Sequence, residues 1–206
     1  MTRERMHIAI MSVMVIVLAG CGSSPTARFY TLSAGAAPEG AAPSQTAAYR
    51  ISVGPVTVPE VVDRPQLVVR TGANQVTILE QQRWAEPLQS DIPRVIALNL
   101  SQSLGAKQVS ASSQNAISNP EYRVFVDIQR FDSVPGEAVT IDALWTVRRA
   151  SGDPSTGRSL VTEPAGREGY DALVAAHSRA LARVSRDIAE AIRSADVAQP
   201  RQGIGK

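Results

Sequence analysis

The clearest alternation of apolar and polar positions in the chain runs from 121 to 131. Tyr122, Val124, Val126 and Ile128 fall on one side, and Arg123, Phe125, Asp127 and Gln129 on the other. That period of two predicts a half-buried strand. Pro135-Gly136 turns the chain, and 139–147 then reads as the partner strand, with Ile141, Ala143, Trp145 and Val147 on one face. A second turn at 151–157 leads to Ser159-Leu160-Val161-Thr162, a third strand of the same meander.

Two stretches change to helical spacing. Leu88, Ile92, Val95, Ile96 and Leu100 recur on one face; Ser90 or Asp91 is placed to cap this helix, Pro93 falls in its first turn, and Gly105 stops it after Leu104. From 170 to 192, Leu173, His177, Ala180, Leu181, Val184, Ile188 and Ile192 form a single stripe. Earlier in the chain, Arg28-Phe29-Tyr30-Thr31-Leu32-Ser33 is rich in strand formers. The stretch 34–48 is Ala, Gly, Pro, Ser and Gln with almost no large apolar residue, and reads as a flexible loop. Residues 49–53 alternate as a strand, which Gly54-Pro55 ends or bulges and Val56-Thr57-Val58 continues. After a loop at 59–65, the runs 67–70 and 75–79 flank Thr71-Gly72-Ala73-Asn74 and predict a hairpin. Val109 starts a short strand and 110–120 is loop. No repeat of solenoid period occurs. One-sided strands and amphipathic helices predict a single α/β domain, its mixed, largely antiparallel sheet covered by the two long helices.

The N-terminus breaks this pattern. Ile8 to Leu18 is an apolar run, broken only by Ser12, behind Arg3 and Arg5, and it ends in Leu18-Ala19-Gly20-Cys21 before turning small and polar. This is a bacterial lipoprotein signal with its lipobox, and it is too short for a spanning helix, which needs about 20 apolar residues. Cleavage is expected between Gly20 and Cys21. The Cys21 thiol takes a diacylglyceryl group and its freed amine a third acyl chain; one chain binds membranes marginally, two or three nearly permanently. Cys21 is the only cysteine in the chain. The alternative is an ordinary secretory signal with a cysteine there by chance. Gly22, where an Asp would commonly retain a lipoprotein at the inner membrane, favours the inner leaflet of the outer membrane, facing the periplasm.

These boundaries divide the chain into a signal at 1–20, a lipidated tether at 21–27, one domain at 28–195 and a disordered tail at 196–206. If the strand formers after 27 dock, residues 22–27 span at most ~20–25 Å and the domain sits close to the bilayer. The net charge of +2 includes two arginines and one glutamate of the signal, so the remainder sits near +1 and gives no reason to expect nucleic acid as a partner. With Cys21 acylated there is no disulfide, so the core must suffice. No second apolar run approaches spanning length, so the domain is expected to be water-soluble and held by its N-terminus alone.

Support for catalysis is thin. There is no G-x-S-x-G, P-loop or H-E-x-x-H, and Ser155 in Gly152-Asp153-Pro154-Ser155-Thr156-Gly157 has the wrong spacing for a nucleophile elbow. His177 is the one histidine left after cleavage and lies on the apolar stripe, where packing is the simpler reading. Asp127, Asp132 and Asp142 lie near one hairpin, a carboxylate set that strand-end hydrogen bonds explain as well as acid–base work does. Catalytic residues, metal and cofactor are therefore all expected to be absent, the covalent lipid on Cys21 aside. Arg179, Arg183, Arg186 and Arg193 lie close to one face of the last helix and could meet anionic head groups or an acidic partner. Arg183–Asp187 and Arg186–Glu190 at i, i+4 spacing offer the plainer reading of a solvated face. Trp84 could anchor a partner, but a Trp just before a helix more often packs beneath it. Trp145, in an alternating strand, is expected in the core.

Phe29-Tyr30-Thr31-Leu32 soon after the lipobox, Arg83-Trp84-Ala85-Glu86-Pro87-Leu88 opening a helix, the strand from Tyr122 to Phe131, Asp142-Ala143-Leu144-Trp145, and Ala175-Ala176-His177-Ser178 in the closing helix occur in an order that resembles the ABC-type transport auxiliary lipoproteins, the PqiC family. The resemblance implies a non-enzymatic outer-membrane lipoprotein. Such a protein would work with MCE-domain proteins and an inner-membrane ABC transporter to move lipids between membranes, docking the channel, with a ring-like homo-oligomer among the arrangements implied. From the residues alone, a lipoprotein regulator of envelope or cell-wall enzymes is a competing class, and a periplasmic hydrolase a third.

Overall fold

The computed structural model describes residues 26–35, 49–111, 119–166 and 168–198. In chain order the elements are β1 (Arg28–Tyr30), β2 (Arg50–Thr57), β3 (Gln66–Gly72), β4 (Gln75–Trp84), α1 (Leu88–Leu104), β5 (Gln108–Ser110), β6 (Tyr122–Val134), β7 (Ala138–Arg149), β8 (Ser155–Pro164) and α2 (Tyr170–Ala198). The α/β class with two long helices is as expected, but the strands form two sheets rather than one. Five strands take the order β5-β2-β6-β7-β8, and three take the order β1-β4-β3.

In the larger sheet β5, β2 and β6 run parallel, and β6, β7 and β8 form the antiparallel meander. Both helices pack on one face, α1 over β2 and α2 over β7 and β8, and they pack on each other. Ile51, Val53, Val124, Val126, Ile141, Ala143 and Val147 supply the sheet side of this core, and Ile92, Val95, Ile96, Leu181, Val184 and Ile188 the helix side. The other face keeps exposed Arg123, Asp127, Leu144 and Leu160, as an antiparallel sheet with one wet face allows.

Two bulges carry the alternation past breaks in the pattern. Opposite Val124 and Val126, β2 places Val53 and Val56, so Gly54-Pro55 bulges the strand without ending it. On β6 the register shifts between Ile128 and Arg130, and the inward face passes from Ile128 to Phe131 and Ser133. That shift extends β6 to Val134, three residues beyond the expected strand. β4 also outruns its expected end at 79, because β1 pairs in parallel with Gln82, Arg83 and Trp84.

The start of α1 differs from the capping expectation. Its N-cap is Pro87, with no side-chain cap; neither Ser90 nor Asp91 serves. Asp91 is inside the helix and buried, and Pro93 lies a turn further in than expected. Gly105 ends the helix in the left-handed conformation, as its sequence position suggests. At the other end of the chain α2 reaches Ala198, past the point where a tail was expected, and Tyr49 Oη donates to Asp196 at 3.1 Å.

Candidate functional site

Gly20 and Cys21 lie outside the described residues, as do 199–206 and most of the loops expected at 34–48 and 110–120. What is described is how the chain enters the domain downstream of Cys21. After β1, residues 31–35 run as an extended arm across α1 and α2. The Leu32 amide donates to Asp91 Oδ2 at 2.9 Å and the Arg94 guanidinium to Leu32 O at 2.8 Å. The Ser33 amide donates to Ser178 Oγ at 3.1 Å, and the Gly35 amide to Asn99 Oδ1 at 2.9 Å. A Cβ on Gly35 would sit 2.8 Å from that of Ala182, so the glycine lets the backbone lie flat on α2.

Asp91 is 1 % exposed and is bridged by Arg94 three residues on. A buried carboxylate is tolerated when paired and hydrogen-bonded. Here the arm's amide and the arginine both serve, and the same arginine reaches back to the arm's carbonyl. Sequence reasoning assigned Asp91 to capping and missed this role. The available signal was an acidic side chain one position from Ile92 on the apolar face. Asn99 and Ser178 give the same kind of signal, polar residues set among helix positions that pack.

The arm ends at a depression of about 290 Å³ lined by Asn99, Gln102, Glu163, Arg179, Arg183 and Arg186. Three of the four arginines singled out on the last helix thus do meet. The expected pairs along the helix do not organise them. Arg183 bonds Glu163 on β8 at 2.5 Å, Arg179 approaches the same carboxylate at 3.5 Å, and Arg179 Nη2 donates to Pro164 O at 2.6 Å. Asp187 accepts from Ser159, and Glu190 pairs with Arg193. Glu163 is only 6 % exposed, so two cations hold one nearly buried carboxylate between edge strand and helix.

Trp84 is 6 % exposed, edge-on to Phe131 and to His177. It is a core residue, its indole packed against β6 and α2 and out of a partner's reach. His177 is 1 % exposed, stacks on Phe131 with centroids 4.0 Å apart and planes 6° from parallel, and shares a 2.7 Å hydrogen bond between Nε2 and Ser133 Oγ. Its Nδ1 meets no hydrogen-bond partner among the described residues. The tautomer with Nε2–H donating to Ser133 leaves a lone pair bare at Nδ1 rather than an N–H. Burial pushes its pKa down to about 3, against a small upward pull from Asp132. A serine and a histidine at bonding distance resemble a nucleophile and base, but among the described residues no third polar group orients the ring, and neither residue lines the depression at the end of the arm.

The three aspartates of the hairpin do not pair with one another. Asp127 accepts from Thr57 Oγ1 at 2.5 Å. Asp132 is bridged by Arg70 and Arg130; burial raises its pKa, but the hydrogen bonds from both arginines outweigh that and hold it below the usual range. Asp142, buried, takes both donors of Arg158 at 2.8 and 2.6 Å, and those bonds lower its pKa. Trp145 is partly buried, lies over Gly157 and donates to Ser159 Oγ at 3.0 Å. Among the described residues no group of three His, Cys, Asp or Glu side chains is placed to hold a metal, and no helix is long and apolar enough to cross a membrane.

The model of the ABC-type transport auxiliary lipoprotein component family matches residues 30–189, and the chain belongs to that family. A search of curated proteins finds no match. Among solved structures, an uncharacterised protein superposes with a TM-score of 0.67 at 23 % identity, covering 82 % of this chain and 99 % of its own. A Xanthomonas campestris protein superposes with a TM-score of 0.67 at 19 % identity, covering 84 % and 99 %. At these identities the likeness establishes the fold.

Proposed function

We propose that this transport auxiliary lipoprotein is a non-enzymatic, lipid-anchored member of an MCE- and ABC-type system that moves lipids between membranes. Acyl chains on Cys21 hold it to the inner leaflet of the outer membrane, and the domain docks the transport channel there. The observation that carries this reading is the fixed entry of the chain. Arg28–Tyr30 pairs in a sheet and residues 31–35 are hydrogen-bonded to both helices. The free tether is therefore at most the few residues after Cys21, and a short tether holds the domain within ~20–25 Å of the bilayer. A body confined this way meets its partner at high effective concentration, so modest surface contacts suffice.

The test is cross-linking in cells followed by identification of the captured proteins. Recovery of MCE-domain and ABC-transporter components supports the role, and a ladder of self-links supports a homo-oligomeric ring. Recovery of cell-wall enzymes in their place contradicts it and favours the regulatory alternative.

A further inference from the structure

The wet face of the five-stranded sheet carries an arrangement that neither packing nor tethering explains. Arg123 on β6 and Arg148 on β7 are direct cross-strand partners, and Ser52 of β2 pairs with Arg123 on its other side. Arg50 stands two residues along β2 from Ser52. Arg50, Arg123 and Arg148 are all exposed. Like charges placed directly opposite in a sheet destabilise it, and a wet face accepts almost any polar residue in their stead.

Nearby acids do not neutralise the row. Glu121 and Asp196 both approach the fourth arginine, Arg149, at 3.5 and 3.6 Å. None of Arg50, Arg123 and Arg148 makes an ion pair with a described residue. The stretch 112–118, which leads in from β5, contains no charged residue. A depression of about 500 Å³ is lined by all four arginines together with Asn119 and Glu121. Arg148 lies over the Phe125 ring at 5.4 Å, so one guanidinium is seated on an aromatic face beside the depression. Beyond Phe125 the same face continues with exposed Leu144 and Leu160.

We propose that Arg50, Arg123 and Arg148 form a binding site for a phosphate group, carried by a phospholipid head group or by a small organic phosphate. Several planar guanidinium forks around one depression match a group with three or four acceptor oxygens and one or two negative charges better than they match a carboxylate. The apolar strip of Phe125, Leu144 and Leu160 gives an acyl or glyceryl portion somewhere to lie. The cost of setting Arg123 against Arg148 is offset when the phosphate sits between them.

The experiment is a calorimetric titration of the full chain, purified in a non-ionic detergent. The titrants are glycerol 3-phosphate and detergent-solubilised phosphatidylglycerol, with glycerol and diacylglycerol as blanks. Saturable binding is expected, weakened at least ~10-fold by Arg123→Gln or Arg148→Gln and left within about two-fold by Arg28→Gln, which removes the same charge from an exposed position on β1 of the other sheet. The melting temperature of Arg148→Gln is expected to be unchanged or raised, which a structural role for that arginine would not give. Binding of both titrants identifies a site for free organic phosphates, and binding of the lipid alone identifies a head-group site. Absence of saturable heat with either titrant overturns the proposal. So does an equal loss in Arg28→Gln, which would mark diffuse attraction to a basic surface.

Discussion

His177 and Ser133 meet at 2.7 Å, Nε2 to Oγ, in a part of the core where both side chains are buried. The pair ties the first half of α2 to the far end of β6, just beyond the bulge that turns Phe131 and Ser133 inward. Its consequence is a pH dependence of stability. Burial holds His177 neutral in the fold down to about pH 3, whereas an unfolded imidazole takes up a proton below about 6.5. The unfolded state then binds more protons, so stability is complete above pH 6.5 and falls by up to about 1.4 kcal/mol per pH unit as the pH drops from there toward 3. Asp132 and Asp142, held low in the fold, add their own losses only as the pH falls below about 4. Urea unfolding between pH 7 and 4.5 should show this slope, and His177→Phe should flatten it while lowering stability at pH 7. An unchanged slope in the variant would place the titrating group elsewhere.

Asp91 is expected to control the arm rather than the whole fold. Asp91→Asn keeps the size but removes the charge that Arg94 and the Leu32 amide share. A loss of about 1–3 kcal/mol is expected. Hydrogen exchange should show amides 32–35 losing protection while β6 and β7 keep theirs. Uniform loss across the chain would mean that the arm is not a separable element.

Glu163→Gln leaves Arg179 and Arg183 facing a neutral group beside the edge strand. Breaking a buried pair costs several kcal/mol, but both arginines are about half exposed. About 1–2 kcal/mol is therefore expected by chemical denaturation. Arg186→Ala, at a residue without an ion pair to a described residue, should stay within about 0.5 kcal/mol.

Gly157→Ala tests the close approach between β7 and β8. Its Cβ would fall 2.2 Å from the Trp145 ring, which must then move. A cost of about 1–3 kcal/mol and an altered Trp emission are expected. Gly72→Ala, whose nearest contact is at 3.6 Å, should be close to neutral.

Much of this fold is legible in local periodicity. The face of β6 that packs, the stripe of α2 and the stop at Gly105 follow from spacing alone. The departures have long-range causes. β4 runs on to Trp84 because a three-residue strand from more than fifty positions upstream pairs with its end. Asp91 is buried as a partner of that same upstream segment, so its local context suggested a cap. Arg183 has Asp187 in helical reach, yet it turns to Glu163 on β8, because the edge strand brings a buried carboxylate that needs a cation more than an exposed one does. The cross-strand arginines follow from strand register, which no single segment contains.

The central claim is that Cys21 carries the lipid that moors this domain, and intact-mass measurement of the protein extracted from membranes tests it most directly. The expected mass is that of a chain beginning at Cys21 plus a diacylglyceryl group and an amide-linked acyl chain. A mass that retains Met1, or one with Cys21 unmodified, would contradict it.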